Sequence, residues 1–301
     1  MNAGDHAHGP KVSVIIVNWN VANLLDLCLA SLLKNAADVS WEAVIVDNNS
    51  SGTSFRDVRN KYAGFSQFRW IENKENIGNV AANQAWRISR GQYLLELGPD
   101  AMVLPGAVAN MAEFLDGHPE AGAVAARFLN PDGTPQNYYY RHWNLMMCFL
   151  TTGLGKLIDK KIFRHAKEIK YFGYDLDTRK IITVEQPAGA CLLVRREALA
   201  PGDLVDRRFP FYFDDADQCQ RIADKGYKIY ILPSAEIIHD QCASFNKTNN
   251  DWREREFRRS AVRYFQKFHP GQVVFLKILF LLTSATKSLY DTVLSPGRRN
   301  R

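Results

Sequence analysis

The sequence predicts an α/β protein: a mostly parallel central sheet with helices on both faces. Two observations lead there. Short apolar runs rich in β-branched residues alternate with segments whose apolar residues recur at helical spacing. Polar residues then fall just past one strand end after another, where open α/β sheets gather their ligands. The chain has 301 residues, 46% hydrophobic and 23% charged, enough for one large domain or two small ones.

Residues 12–17 have the composition of a strand buried on both faces. Leu24, Leu25, Cys28, Leu29, Leu32 and Leu33 then repeat at helical spacing. Residues 43–46 form a second buried strand, which runs into Asp47, Asn48, Asn49 and Ser50. A third strand is expected over 68–71, followed by Asn76-Ile77-Gly78-Asn79 and an Ala-rich helix to Ile88. Residues 93–97 read as a fourth strand, broken by Gly98-Pro99-Asp100. A helix over 106–115 and a strand over 122–126 follow. Asn18, Asp47, Asn76 and Asp100 thus lie past four strand ends. Turn chemistry accounts for any one of them; their convergence on one sheet edge points to a site. The first turn, Asn18 to Asn23, carries no G-x-G-x-x-G, and no P-loop occurs anywhere, which removes the usual dinucleotide and NTPase fingerprints.

Past residue 130 the alternation fades. Residues 143–158 are apolar, and 181–194 read as a strand pair hinged at Gln186-Pro187-Ala188-Gly189. Next comes Phe211-Tyr212-Phe213-Asp214-Asp215-Ala216-Asp217, three aromatics running into three carboxylates. Ala216, Cys219, Ile222 and Ala223 recur behind it at helical spacing and Gly226 closes the run, so the acids sit at a helix N-terminus. One Asp suffices as a cap. Three beside an aromatic wall point to a carboxylate held partly desolvated. A strand over 227–232 and then Ile237-Ile238-His239-Asp240 follow. Two helices end the chain, a basic, aromatic one over 252–268 and an apolar one over 273–294, interrupted by Lys277 and Lys287. The second is too short in its apolar core to span a bilayer and reads as an interfacial amphipathic helix, or as a core or dimer helix.

Net charge is +6, with the basic residues concentrated late: Arg253, Arg255, Arg258, Arg259, Arg263 and Lys267, then Arg298, Arg299 and Arg301. Such a bias fits anionic lipid or a phosphate-bearing substrate. No nucleic-acid motif accompanies it, so no nucleic-acid partner is expected. The five cysteines form no C-x-x-C pair and read as reduced, buried thiols of a cytosolic protein. Residues 1–10 form a polar, disordered tail without the apolar core of a signal peptide.

The ordered set of motifs resembles the family 2 inverting glycosyltransferases of the GT-A fold. Its pieces are residues 12–20, Val44-Ile45-Val46-Asp47-Asn48-Asn49-Ser50, the 76–83 turn and helix, Leu97-Gly98-Pro99-Asp100, residues 189–196 and the Asp214-Asp215 cluster. Within that family the chain looks most like bacterial rhamnosyltransferases that extend polyprenyl-diphosphate-linked glycans. The resemblance implies a single Rossmann-like nucleotide-sugar domain over 11–248, with a nucleotide-binding half (11–130) and an acceptor-binding half (131–248). Residues 249–301 would be membrane-associating or oligomerising helices. Asp47 would accept from the N–H of a uracil or thymine base, and Asn18, Asn49, Asn76, Gly78 and Asn83 would line the donor pocket. Asp100, with His239, would hold Mg2+ or Mn2+ on the donor diphosphate. Asp215 matches the general base, Gly189, Ala190, Tyr212 and Asp214 would meet the acceptor, and Asp217 falls to capping and structural bonding.

The implied reaction takes a sugar, best dTDP-L-rhamnose with UDP-sugars as the competitor, to a lipid-linked glycan at the cytoplasmic face of the membrane. A homodimer through the C-terminal helices is the other use of that segment. Two departures stand out. Gly98 replaces an acidic or amide residue of the metal motif, and residues 200–206 lack the usual Gly-Gly-Phe-Asp-type sequence. The competing reading is a degenerate relative that binds glycan or nucleotide without turnover.

Overall fold

The computed structural model describes residues 9–201, 203–240 and 249–293, with side chains to 283. Cys242, Arg298, Arg299 and Arg301, and nearly all of the expected N-terminal tail, lie outside the described residues. Eleven strands occur among the described residues: β1 (Val12–Asn18), β2 (Trp41–Asp47), β3 (Phe68–Glu72), β4 (Tyr93–Leu97), β5 (Ala101–Val103), β6 (Ala121–Leu129), β7 (Tyr139–Tyr140), β8 (Ile182–Val184), β9 (Gln186–Pro187), β10 (Cys191–Arg195) and β11 (Lys228–His239). The α-helices are α1 (Ala22–Asn35), α2 (Ser54–Lys61), α3 (Ala82–Ile88), α4 (Ala107–Gly117), α5 (Leu145–Leu150), α6 (Gly153–Ile158), α7 (Ala166–Tyr171), α8 (Asp214–Asp224), α9 (Asn250–Phe268) and α10 (Val273–Val293).

The main sheet runs β3-β2-β1-β4-β10-β6-β11-β5, with β8 also on β11. It is parallel from β3 to β4, as the alternation of strands and helices requires, and mixed beyond. There β10 lies antiparallel between β4 and β6. The strand pair expected over 181–194 is instead three separate strands. β8 joins β11, β9 joins β7, and β10 joins β4 and β6. β11 is one long strand whose register shifts between Leu232 and Glu236. Pro233, which has no N–H to give the ladder, sits at that shift.

Helices cover both faces because both faces are apolar. Leu25 and Leu29 of α1, Val58 of α2 and Met111 of α4 close one side over Val14, Ile16 and Leu95. Ala85 and Trp86 of α3, with Cys219 and Ile222 of α8, close the other over Ile15, Val44 and Leu94. A third apolar cluster joins Met147, Phe209 and Phe213 to Ala261, Tyr264 and Phe265 of α9 and to Leu276 and Phe280 of α10. Helix α9 is therefore packed into the domain that the sequence reading ended at residue 248. The four described cysteines are all free and buried.

Candidate active site

The parallel register sets Asn18, at the end of β1, beside Asp47, at the end of β2. Both are buried. Asn18 Nδ2 donates to Asp47 Oδ1 at 2.7 Å. Ser50 donates its N–H to Oδ2 at 2.9 Å and its hydroxyl to Oδ1 at 2.6 Å. The carboxylate is thus fixed in place, while Asn18 Oδ1 is buried without a protein partner. Asn49 is exposed next door, at φ 61, a conformation asparagine tolerates.

The 76–83 segment, expected to line the donor pocket, spends several of its polar groups on main chain. Asn76 Oδ1 accepts from the Gly78 N–H at 2.9 Å, which shapes a tight turn. Gly78 has φ 68, and a Cβ there would overlap the Pro210 carbonyl. Asn79 then donates its backbone N–H to that carbonyl at 2.6 Å. Asn83 is buried as a clamp, with Nδ2 on the Val205 carbonyl at 2.7 Å and Oδ1 on the Val205 N–H at 3.0 Å. Asn83, expected in the donor pocket, is therefore committed to the main chain of another segment.

Asp100 follows β4. Its backbone carbonyl takes the N–H of Asp240 at 3.0 Å, which brings the end of β11 alongside. His239 Nε2 stands 3.6 Å from Asp100 Oδ1. Gln136 fixes the imidazole: its Nε2 donates to the His239 and Asn130 oxygens, so its Oε1 takes His239 Nδ1 at 3.1 Å. That arrangement has Nδ1 donate to Gln136 and turns Nε2 toward Asp100. The two donors fit one hard cation completed by ligand oxygens. Among the described residues no third acidic, histidine or cysteine ligand joins them. Gly98 has a local reason: a Cβ there would lie 2.7 Å from Asp100 Oδ1. Glycine lets Asp100 fold back over its own loop, where an acidic side chain would crowd it.

The acid cluster opens α8 as expected. Phe213 is the N-cap and takes φ 66, a strained setting for a phenylalanine. Packing enforces it: its ring lies 4.7 Å from Trp143, 5.3 Å from Phe257 and 5.4 Å from Tyr264. This left-handed residue turns Asp214 and Asp215 out of the aromatic wall together. Asp214 Oδ2 accepts from Asn79 at 2.6 Å. Asp215 Oδ1 takes the Ala216 N–H at 2.7 Å, and Gln186 and the Gly189 N–H also favour its charged form. Loss of hydration still raises the Asp215 carboxyl above the usual range. The same loss, with the charge of Asp215, pushes Asp214 up to about 7. Ala190 links the two regions through its carbonyl, which accepts from the Gly98 N–H at 2.8 Å. Tyr212 stacks edge-on against Phe257. Asp217 is fully buried and paired with Arg221 and Lys267, in keeping with a structural role.

Five contributors were not singled out by the sequence. Glu96 lies mid-strand in β4, takes a hydrogen bond from Gln218 and is pushed up to about 8 by burial and by Asp214 and Asp215. Gln186 and Asn79 read as turn residues. Trp252 and Phe257 come from α9, beyond the expected domain end, yet pack on Phe211 and on Tyr212 and Phe213.

Residues 13–200 match the family model described as Glycosyl transferase family 2. The N-acetylglucosaminyl-diphospho-decaprenol L-rhamnosyltransferase of Mycobacterium tuberculosis (strain ATCC 25618 / H37Rv) is 26% identical over 247 residues, 77% of this chain and 76% of that one. The O-antigen biosynthesis protein RfbC of Myxococcus xanthus is 25% identical over 241 residues, 78% of this chain but 18% of that one. The chain spans about a quarter or less of the length of two curated relatives that it matches. A crystal structure of GalNAc-T7 with UDP, GalNAc and Mn2+ shares the fold at a TM-score of 0.57 and 17% identity, over 76% of this chain and 43% of that one. S. aureus TarS 1-349 in complex with UDP-GlcNAc gives 0.54 and 17%, over 85% and 66%. The α/β architecture is that of the GT-A glycosyltransferases, and the chain belongs to glycosyl transferase family 2.

Proposed function

We propose that this protein is an inverting glycosyltransferase of bacterial surface-polysaccharide synthesis, taking a sugar from a nucleoside diphosphate to a polyprenyl-diphosphate-linked glycan at the cytoplasmic membrane face. The observation that carries the reading is Asp215, a carboxyl group of raised proton affinity held between the β9 strand end and an aromatic wall. A base raised above the ordinary carboxylate range is better matched to neutral pH than a solvated aspartate. The donor's uracil or thymine N–H meets Asp47, and Asn18 and Asn49 complete that edge. The diphosphate lies toward Asp100 and His239. Bound there, Mg2+ or Mn2+ supplies charge neutralisation for the departing nucleoside diphosphate.

Tyr212, Gly189, Ala190 and Asp214 border the acceptor. Its hydroxyl oxygen attacks the anomeric carbon from the face opposite the diphosphate, and Asp215 takes the hydroxyl proton. One displacement inverts the anomeric configuration. The rhamnosyltransferase name of a relative similar along most of its length supports dTDP-L-rhamnose as donor and a lipid-linked acceptor. UDP-hexoses are the competing donors.

Asp215→Asn tests the assignment. Transfer from labelled donor falls about 10²–10⁴-fold, the usual share of a general base, while the thermal shift induced by the donor persists. Retained turnover removes Asp215 as the base. A second reading has one observation in its favour, Gly98 in the metal motif: a relative that binds glycan or nucleotide without transfer. Release of nucleoside diphosphate from labelled donor with Mn2+ decides between them.

A further inference from the structure

Most of the exposed large hydrophobic side chains gather in two segments far apart in sequence. In one, Leu154, Leu157, Ile162 and Phe163 are 46%, 53%, 67% and 41% exposed. They alternate with Lys156, Lys160, Lys161 and Arg164, for which no carboxylate partner exists among the described residues. The tip that carries them is held rigidly. Asp159, buried beneath it, accepts the N–H groups of Lys167 and Glu168 at 3.1 and 3.0 Å. Arg164 and His165 both take left-handed φ, 50 and 65, a costly turn that keeps Ile162 and Phe163 outward.

The second segment is α10. Leu276 and Phe280 are buried against α9 and α5, while Val274, Phe275, Ile278, Leu281 and Leu282 form a stripe on the outer side, 49–71% exposed. Beside this helix is a cleft of about 510 Å³, lined by Arg255, Arg258, Arg259, Arg263 and Lys277 over Phe280. Glu254 pairs with Arg258, and Glu256 with Arg259 and Arg263, while Arg255 and Lys277 have no carboxylate partner among the described residues. The two segments are joined by α5, which packs against α6, α7 and α10. Among the described residues no helix is long and apolar enough to cross a membrane. An apolar surface rimmed by cations in excess over the carboxylates beside them is what an anionic bilayer surface complements.

We propose that the 154–164 tip and the outer stripe of α10 are two feet of one membrane-docking face, and that the arginine cleft between α9 and α10 receives the phosphates of anionic phospholipids. The inference rests on the lipid-linked acceptor proposed above and names the surface that brings the site to it. It also makes the tip, which runs past the apolar 143–158 stretch, an equal partner of the C-terminal helix.

The test uses the full chain, without any sugar substrate, in co-sedimentation with extruded vesicles. Vesicles of mixed phosphatidylglycerol and phosphatidylcholine should pellet the protein, and vesicles of phosphatidylcholine alone should not. Each lysine or arginine near an anionic surface contributes roughly fivefold to partitioning. Ile162→Asp with Phe163→Asp, Leu281→Asp with Leu282→Asp, and Arg255→Glu with Arg259→Glu should each lower partitioning tenfold or more. Circular dichroism and Tm should stay unchanged, as should hydrolysis of the nucleotide sugar in solution. Equal binding to neutral vesicles overturns the role of the cleft, and wild-type partitioning in the tip variant overturns the two-footed face. No vesicle binding, with a dimer in light scattering that the α10 variant dissolves, gives the stripe to a second copy of the chain and overturns the proposal. Vesicle binding without any sugar transfer removes the proposed reaction and leaves the docking face standing.

Discussion

Asp214 and Asp215 are adjacent in sequence and leave the same left-handed turn; burial raises the proton affinity of both, and the charge of Asp215 raises that of Asp214 further. The sign for activity follows. A base works only when ionised, so kcat/KM falls as pH drops through the titration of the pair. Asp214→Asn keeps the bond to Asn79 within reach of an amide and removes one negative charge. Asp215 then ionises more easily, and the acid limb of the kcat/KM profile moves to lower pH. An acid limb that stays in place, or moves up, means that Asp215 is not the group being titrated. At this scale the sequence was readable for placement: Asp47 ends β2, Asp100 follows β4 and Asp215 opens α8, where the sequence puts them. Glu96 was not, because a lone acid inside an apolar strand carries no signal until α8 is placed over it.

Elements built on local periodicity were legible almost to the residue. β4 spans the expected 93–97, and α1 brackets the predicted leucines. What failed was pairing. Residues 181–194 have strand composition, but the partners of β8, β9 and β10 come from distant parts of the chain, which no local pattern encodes. Short β5 and polar α2 were missed for want of apolar repeats. The 76–83 segment shows the same limit: its motif was legible, and the long-range clamp of Asn83 on Val205 was not. Asn83 satisfies both the N–H and the carbonyl of Val205 inside the protein. Asn83→Ala strands both groups, at about 1–3 kcal/mol each. Tm should fall by several degrees, with kcat falling as the loop before the acid cluster loosens. A weaker donor KM with unchanged Tm would instead return Asn83 to the donor pocket.

For the whole molecule, the question is where the catalytic domain ends. The family resemblance implies an end at residue 248, just before the basic, aromatic segment. Packing moves it later. Tyr264 and Phe265 of α9 are fully buried, and Phe257 and Tyr264 hold Phe213 in the strained turn that aims the two acids. Lys267 enters from the same helix to neutralise buried Asp217 and to meet Asp206 at 2.9 Å. Without α9, Asp217 keeps Arg221 as its one cationic partner among the described residues, and a buried charge short of a partner is strongly destabilising. Helix α10 is attached more lightly, through Leu276, Phe280 and the Arg258 bond to the Phe280 carbonyl at 2.9 Å. Two truncations separate these roles. A chain ending at residue 271 should fold with a lowered Tm, keep donor hydrolysis and lose most of its vesicle binding. A chain ending at residue 248 should show no cooperative thermal transition and no hydrolysis, because the turn at Phe213 has lost the wall that strains it. Cooperative unfolding and donor hydrolysis by the shorter chain would put the boundary back at residue 248 and make α9 an accessory rather than the back wall of the site.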